Sequence, residues 1–297
     1  MNPKMTGLLI GAVMISFSGV WVKICNVAPA VSAFYRVLFG GIILVGAVLI
    51  RRETLWHGRR ETALLLVCGV VFALDLIFYH YSIQYVGPGL GTILPNFQVF
   101  VLMGAGVVFL KEKVSPLLFL SVPLAFFGLF LIVGLNGSPL EASYKTGVWL
   151  GLATALCYSV FLLLLRRIVS PVSGVSFFYA LMFISLVSSV FLGGEAFRRG
   201  DSFQIPDMQT LWALLALGAL SQTAGWILIS RALPGMRASL SGLILLLQPA
   251  LAFVWDVWIF ERPAGLWNWT GVALALGAIY MGSVGPAASR GAGGPTG

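Results

Sequence analysis

Thr6-Gly7-Leu8-Leu9-Ile10-Gly11 near the start of the chain returns mid-chain as Thr146-Gly147-Val148-Trp149-Leu150-Gly151. Each opens an apolar segment of membrane length, and the echo continues in order. The second segment carries Ser32-Ala33-Phe34-Tyr35 in one half and Ser176-Phe177-Phe178-Tyr179 in the other. The fourth closes on Phe109-Leu110-Lys111-Glu112 and on Ile259-Phe260-Glu261-Arg262. Gly128 and Gly277 fall equally far beyond Glu112 and Glu261. Five apolar segments are thus followed by five that repeat them. An odd number of spans per repeat sets the second half upside down in the membrane.

Composition points the same way. The 297 residues are 59% hydrophobic and only 9% charged, where a soluble domain carries about 25% charged residues. Such a chain cannot dress a water-facing surface, so lipid is its solvent. The segments read as spans over 7–23, 32–50, 62–85, 88–110, 116–135, 147–168, 173–196, 209–231, 238–260 and 266–284. Each is near the ~20 residues a bilayer requires. Period-two alternation is absent and backbone groups in lipid need internal partners, so all are expected as helices. The expected fold is an all-α integral membrane protein of ten transmembrane helices in two inverted five-helix repeats. Residues 1–140 form the first repeat, 141–285 the second, and 286–297 a disordered Gly-rich tail.

Lys and Arg set the orientation. With the N-terminus inside, Lys4, Arg51, Arg52, Arg59, Arg60, Lys111, Lys113, Arg166, Arg167, Arg231, Arg237 and Arg290 lie on the cytoplasmic side. Only Lys23, Arg36, Lys145, Arg198, Arg199 and Arg262 lie toward the outside. This positive-inside bias places both termini in the cytoplasm of a bacterial-type inner (cell) membrane. It also accounts for the net charge of +8 without a nucleic-acid partner. The Arg51-Arg52 and Arg59-Arg60 pairs suit anionic headgroups of membrane lipid or simply anchor the topology. The opening run resembles a signal peptide, but its counterpart at 147–168 stands mid-chain, so cleavage is not expected. Cys25, Cys68 and Cys157 have no paired spacing and read as small apolar residues.

Inside the spans, a few residues stand out. Pro95 removes an N–H and frees the carbonyl of Gly91; Pro249 does the same for Leu245. Freed carbonyls are tolerated at membrane depth where they line a cavity or meet neighbouring helices. Asn96 and Gln98 flank the first break and Gln248 the second, with Trp255 on the face of Gln248. Asp75 lies mid-span, where an ionised carboxylate costs about 2.5–3.5 kcal/mol even on the lenient insertion scale. Phe72, Asp75, Tyr79 and Ser82 share a face. Asp75 suits proton coupling, a cationic substrate group, or a structural tie between helices. His80 suits a proton relay or an interfacial hydrogen bond. Gln222, Trp226, Tyr158 and Ser16 or Ser18 would complete a pocket, with Gly225 leaving room beside the Trp226 ring. Trp258 reads as aromatic belt, and Asp256 as a solvated edge residue. Gly7/Gly11 and Gly147/Gly151 are small-xxx-small pairs for close helix packing. Arg36 either grips a substrate carboxylate or snorkels to headgroups. Glu112 and Glu261 oppose the helix dipole, so they call for cationic partners such as Lys113 or Arg262 and read as end markers or gate components.

The two five-helix halves, the apolar–Glu closures and Gln248-Pro249 twelve residues before Glu261 resemble the EamA-type, ten-helix branch of the drug/metabolite transporter superfamily. Arg36 near the start of the second span fits as well. The resemblance spans about residues 5–285. Phe100 departs from it, standing where the repeat would place a proline matching Pro249. The resemblance implies a solute carrier with no ATPase domain, often an exporter of amino acids or other small metabolites.

Other classes fit poorly. An intramembrane protease needs a serine followed by a histidine, or two membrane aspartates; after Gly174-Val175-Ser176-Phe177 no histidine follows His80. His57 and His80 are too few ligands for a metalloenzyme, and no repeated filter ring marks a channel. The expectation is a secondary active transporter, not an enzyme. It would move a small polar or amphipathic organic metabolite by alternating access, in the export direction by resemblance. It would take no cofactor or metal and act as a monomer or homodimer. Uptake or exchange by the same fold is the alternative reading, and a non-transporting structural membrane protein is the alternative of another class.

Overall fold

The computed structural model describes residues 3–133 and 142–284. The expected repeat boundary at 140/141 and the tail from 286 lie outside them. Every regular element among the described residues is helical. In order these are α1 (Pro3–Ser16), α2 (Ser18–Ile24), α3 (Pro29–Ile50), α4 (Arg59–Ile93), a 3-10 turn (Leu94–Phe97), α5 (Gln98–Val108), α6 (Pro116–Val133), α7 (Ala142–Ile168), α8 (Phe177–Arg199), α9 (Met208–Ala216), a π-helical stretch (Leu217–Gly225), α10 (Trp226–Ala232), a second 3-10 turn (Leu233–Gly235), α11 (Ala238–Leu245), α12 (Leu247–Phe260) and α13 (Leu266–Val284). Eight of the helical stretches are long and apolar enough to cross a membrane. The shorter α6 and the 19-residue α13 are not among those eight.

Local chemistry sets the ends. Pro29 opens α3 at its first turn, where its missing N–H is no loss. Ser176 caps α8 by accepting from the Phe178 N–H at 3.1 Å, and Gly200 closes it at φ 74°. Asp207 caps α9, accepting from the Thr210 N–H at 2.6 Å. The Asn26 amide and that backbone N–H hold the Asp207 carboxyl below the usual carboxylate range. The expected breaks are present: a 3-10 turn carries Pro95, and Leu246 separates α11 from α12 just before Pro249. Two others were not read from the sequence, the interruption at Phe17 and the π-helical stretch. Within α4 the chain also bends back. A Cβ placed on Gly91 would lie 3.0 Å from the Ile83 Cα, whereas residues eight apart in a straight helix stand about 12 Å apart.

Helix pairing obeys the repeat. Exchanging halves sends α1 and α2 to α7, α3 to α8, α4 to α9–α10, α5 to α11–α12 and α6 to α13. The main packing pairs then map onto one another: α4 with α7 onto the π stretch and α10 with α1, α4 with α8 onto the π stretch with α3, and α1 with α12 onto α7 with α5. The pairs α3–α8, α6–α13 and α5–α11 map onto themselves. Glycines permit the closest approaches. Gly11 faces Gly225 across α1 and the π stretch, and Gly151 faces Ser82 and Leu94. A side chain on either would collide with its partner.

Contacts at the two ends give the helix directions. At one end Glu112 meets Arg166 and the first residues of α11, and Lys4 lies against Gly235, just before α11. At the other, Ser82 donates to the Gly147 carbonyl and Lys23 pairs with Asp256. So α1 starts at the Glu112 end, while its counterpart α7 finishes there. Large apolar side chains such as Trp149, Val190, Phe191, Trp212 and Trp267 point outward. Asp75, Gln98, Ser185, Ser188, Ser221, Gln222 and Ser241 are buried. That distribution is what a hydrocarbon solvent selects, since polar groups there turn to the bundle interior.

Candidate functional site

Five helical segments bring charge together in the interior. From α3 comes Arg36, from α4 Asp75 and Tyr79, from α7 Tyr158, from the π stretch Gln222 and from α12 Gln248. Arg36 lies within electrostatic reach of Asp75, Tyr158 and Tyr79. It is held by one nitrogen: its Nε donates to Gln222 Oε1 at 3.1 Å, and Gln222 Nε2 donates to Ser185 Oγ at 3.1 Å. Gly40, one turn beyond Arg36, makes this possible. A Cβ there would meet Gln222 Cγ at 2.5 Å, so only glycine leaves space for the amide to reach the guanidinium. The π-helical winding carries Gln222, and Thr223 stabilises it by donating to the Gly218 carbonyl at 2.9 Å. Insertions of this kind recur at functional sites.

The two opposite charges do not close on each other. Among the described residues, Arg36 and Asp75 form no direct ion pair, and both terminal nitrogens of Arg36 are without a hydrogen-bond partner. Asp75 is only 7% exposed and makes no hydrogen bond among the described residues. A buried carboxylate and a half-buried guanidinium thus attract one another without direct contact. The guanidinium fork suits a carboxylate bidentately, and the Asp75 carboxylate suits an ammonium.

Aromatic rings form the adjoining wall. Phe72 stacks on Phe161 at 4.5 Å, Trp226 stands edge-on to Phe161 at 5.0 Å, and Tyr158 lies 6.3 Å from Trp226. Several buried polar atoms of the interior lack partners among the described residues: Trp226 Nε1 in this wall and Gln248 Nε2 beside Tyr158, and, away from them, Ser221 Oγ, Gln98 Oε1 and Ser241 Oγ. Buried polar groups are nearly always satisfied, and these atoms have hydrogen bonds to offer a solute or water. Gln248 approaches Tyr158, but its amide nitrogen makes no well-formed bond.

The remaining residues singled out in the sequence stand apart from this cluster. Asn96 donates to the Thr92 carbonyl at 2.6 Å, closing its own turn. Gln98 donates to the Gly242 carbonyl at 3.3 Å, across the α5–α11 contact. Trp255 donates to Ser16 Oγ at 2.8 Å and stacks on Phe17 at 4.4 Å, covering the interruption in the first span. His80 donates from Nδ1 to the Leu76 carbonyl at 2.6 Å and lines a cavity with Tyr81, Glu195 and Arg199. Arg199 and Arg36 act on it, and Asp75 is not among its charged neighbours. Glu112 takes Arg166 as its cationic partner, while Lys113 offers only its carbonyl, to Arg237. Asp256 pairs with both Lys23 and Arg262, so it is no free edge residue. Ser185 and Gly40 carried no signal in the sequence. Their role exists only once α3, α8 and the π stretch are packed.

Comparison with known proteins follows the same line. A model described as the EamA-like transporter family matches residues 3–134 and again residues 145–284. No curated protein matches in sequence. One solved crystal structure, titled only as that of a protein, is 16% identical and superposes over 94% of this chain and 98% of its own, with a TM-score of 0.79. At that identity the likeness shows the fold alone.

Proposed function

The chain belongs to the EamA-like transporter family, and from that premise we propose that it carries a small zwitterionic, amino-acid-like solute across a bacterial inner membrane by alternating access. The observation that carries this reading is the Arg36–Asp75 pair, opposite in charge, with Asp75 buried and Arg36 half-buried, and not in contact. In this reading the solute carboxylate lies on the terminal nitrogens of Arg36 and its ammonium on Asp75. Tyr79, Tyr158, Trp226, Gln222 and Gln248 complete the pocket. Gln98, Asn96 and Trp255 border the path. The ten helices form two inverted five-helix repeats divided near residue 140, and rocking about the site exposes it to each side in turn. Export is the direction we favour, on the family premise; uptake and exchange use the same machinery.

Thermal unfolding of the purified protein tests the charge requirement. Each probe set is one α-amino acid, its decarboxylated amine and its deaminated acid. Only the zwitterion should stabilise, by about 2.7 kcal/mol at a hundred times its dissociation constant. Equal stabilisation by the amine or the acid would remove one of the two charge contacts, and no stabilisation across all side-chain classes would sink the reading. In the same assay Gln248→Ala should weaken the stabilising zwitterion about two- to tenfold, the worth of one hydrogen bond, with folding unchanged. Undiminished binding would leave Gln248 as helix-packing glue.

Both termini are assigned to the cytoplasm. Reporters inserted near residues 53–57 and 170–174 should then read cytoplasmic, and those near 137–140 and 201–205 external. A cytoplasmic signal from 137–140 contradicts the odd-span repeat.

A further inference from the structure

We propose that each end of the bundle is closed by an ion pair between the first span of one half and the fourth span of the other, with the carboxylates at non-equivalent positions of that fourth span, and that the Glu112 pair is the stronger, so that the empty carrier rests closed at the Glu112 end and opens at the Lys23 end. This rests on the alternating-access reading above. At one end Arg166, in the last turn of α7, meets Glu112 beyond α5 at 3.3 Å. At the other end Lys23, in the last turn of α2, meets Asp256 of α12 at 2.8 Å. Exchanging the halves turns α7 into the first span and α5 into α11–α12. In each pair, therefore, the cation comes from the first span of one half and the carboxylate from the fourth span of the other.

The surroundings of the two pairs differ. The Glu112 side chain is 6% exposed and that of Arg166 24%. Besides Arg166, Glu112 accepts from the Ala238 N–H at 2.7 Å, the Ser239 N–H at 3.2 Å and the Ser239 hydroxyl at 2.8 Å. These are the first residues of α11, so the carboxylate also caps a helix at its positive end. Parting α5 from α7 and α11 breaks all four contacts at once and uncaps α11. Charge-assisted bonds of this kind are about twice as strong as neutral ones. At the Lys23 end the side chains are 51% and 26% exposed. Exposed pairs contribute about 0–1 kcal/mol. Asp256 also keeps a second cation, Arg262, which follows it in the same half at 3.2 Å. Separating α2 from α12 therefore costs Asp256 only one of its two partners, while Lys23 leaves Asp256 and the Phe260 ring, 4.1 Å away, for water.

Reaction rates of single cysteines with a small charged methanethiosulfonate test this in the full chain in nanodiscs, with Cys25, Cys68 and Cys157 replaced by serine or alanine. Ser241→Cys reports the Glu112 end, where Ser241 is 2% exposed and shares a cavity lining with Arg166 and Ala238. Ser18→Cys reports the Lys23 end: Ser18 opens α2, whose last turn carries Lys23, and its Oγ is buried. Without solute, the Ser18 reporter should react at least tenfold faster than the Ser241 reporter. Glu112→Gln should raise the Ser241 rate about tenfold and lower the Ser18 rate. Lys23→Gln should change both less than twofold. Arg166→Gln and Ser239→Ala each remove one contact and should raise the Ser241 rate severalfold; these decide the matter if Glu112→Gln does not fold. Equal rates at the two reporters, or no response to any Glu112-end variant, overturns the inference. If solute flux persists in proteoliposomes through such a result, transport stands and only the unequal latch falls. If flux is absent from the wild type while the latch variants behave as stated, the transport reading falls instead.

Discussion

Asp75→Asn should abolish tight solute binding at every pH, by a factor of roughly one hundred to one thousand. Removing one partner of a buried charge pair costs about 3–5 kcal/mol, and each 1.4 kcal/mol is a factor of about ten. The structural reason is that Arg36 has only one hydrogen-bonded anchor, the Gln222 side-chain Oε1 at 3.1 Å. With Asp75 neutral, its charge is left uncompensated among Tyr79, Tyr158 and the aromatic wall. The single variant should therefore also lose stability. Adding Arg36→Gln should restore stability without restoring binding, because both solute charges then lack partners. Binding and flux measured on the same variants separate the readings of this carboxylate. Normal binding with loss of flux driven by a pH gradient would assign Asp75 to proton coupling. Normal behaviour in both assays would leave it a structural residue, and the zwitterion site would fall with it.

Gly271→Leu should destabilise the protein by about 3 kcal/mol or more, at the top of the range for overpacked interiors. A Cβ at Gly271 would stand 2.5 Å from the Gly128 carbonyl oxygen and 2.8 Å from the Ile132 nitrogen. Both are backbone atoms of α6, which cannot rotate away as a side chain can. Gly128 meets Gly271 and Ala275 in the same manner, and Asn268 donates to the Ile132 carbonyl at 2.8 Å just beyond. Gly277→Leu is the control. Gly277 has nothing within 4 Å of an added Cβ, so it should shift stability by no more than about 0.5 kcal/mol. Unfolding in detergent reads both. Equal midpoints for the two variants would mean that α6 and α13 are not packed backbone to backbone. The pairing of Gly128 with Gly277 in the repeat is thus one of sequence; in space Gly128 meets Gly271.

Much of the architecture is legible in the sequence. The Thr-Gly-x-x-x-Gly echo, the recurring spacing and the apolar runs dictate helices and their order, because a backbone in lipid has few other solutions. Pro95 and Pro249 announced their breaks, because a missing N–H acts locally. Asp75 announced itself, because a mid-span carboxylate is costly wherever its neighbours are.

What remained undecided was everything that depends on which faces meet. Arg36 reads equally as a headgroup anchor or a substrate ligand until Gln222 is seen to hold it inside, across the space that Gly40 leaves. Neither residue's neighbours in the chain carry that information. The Phe17 interruption, within Ser16-Phe17-Ser18-Gly19, and the π-helical winding at Leu217–Gly225 follow no proline; they pack against Trp255 and Gly40. Glu112 had cations beside it in sequence, Lys111 and Lys113, yet it pairs with Arg166. Glu261 and Asp256 likewise exchange the roles their positions propose. Ion pairs are chosen by where helix ends converge in three dimensions. The chain's periodicity dictates the helices, and only their convergence decides which charges share the interior and which close its ends.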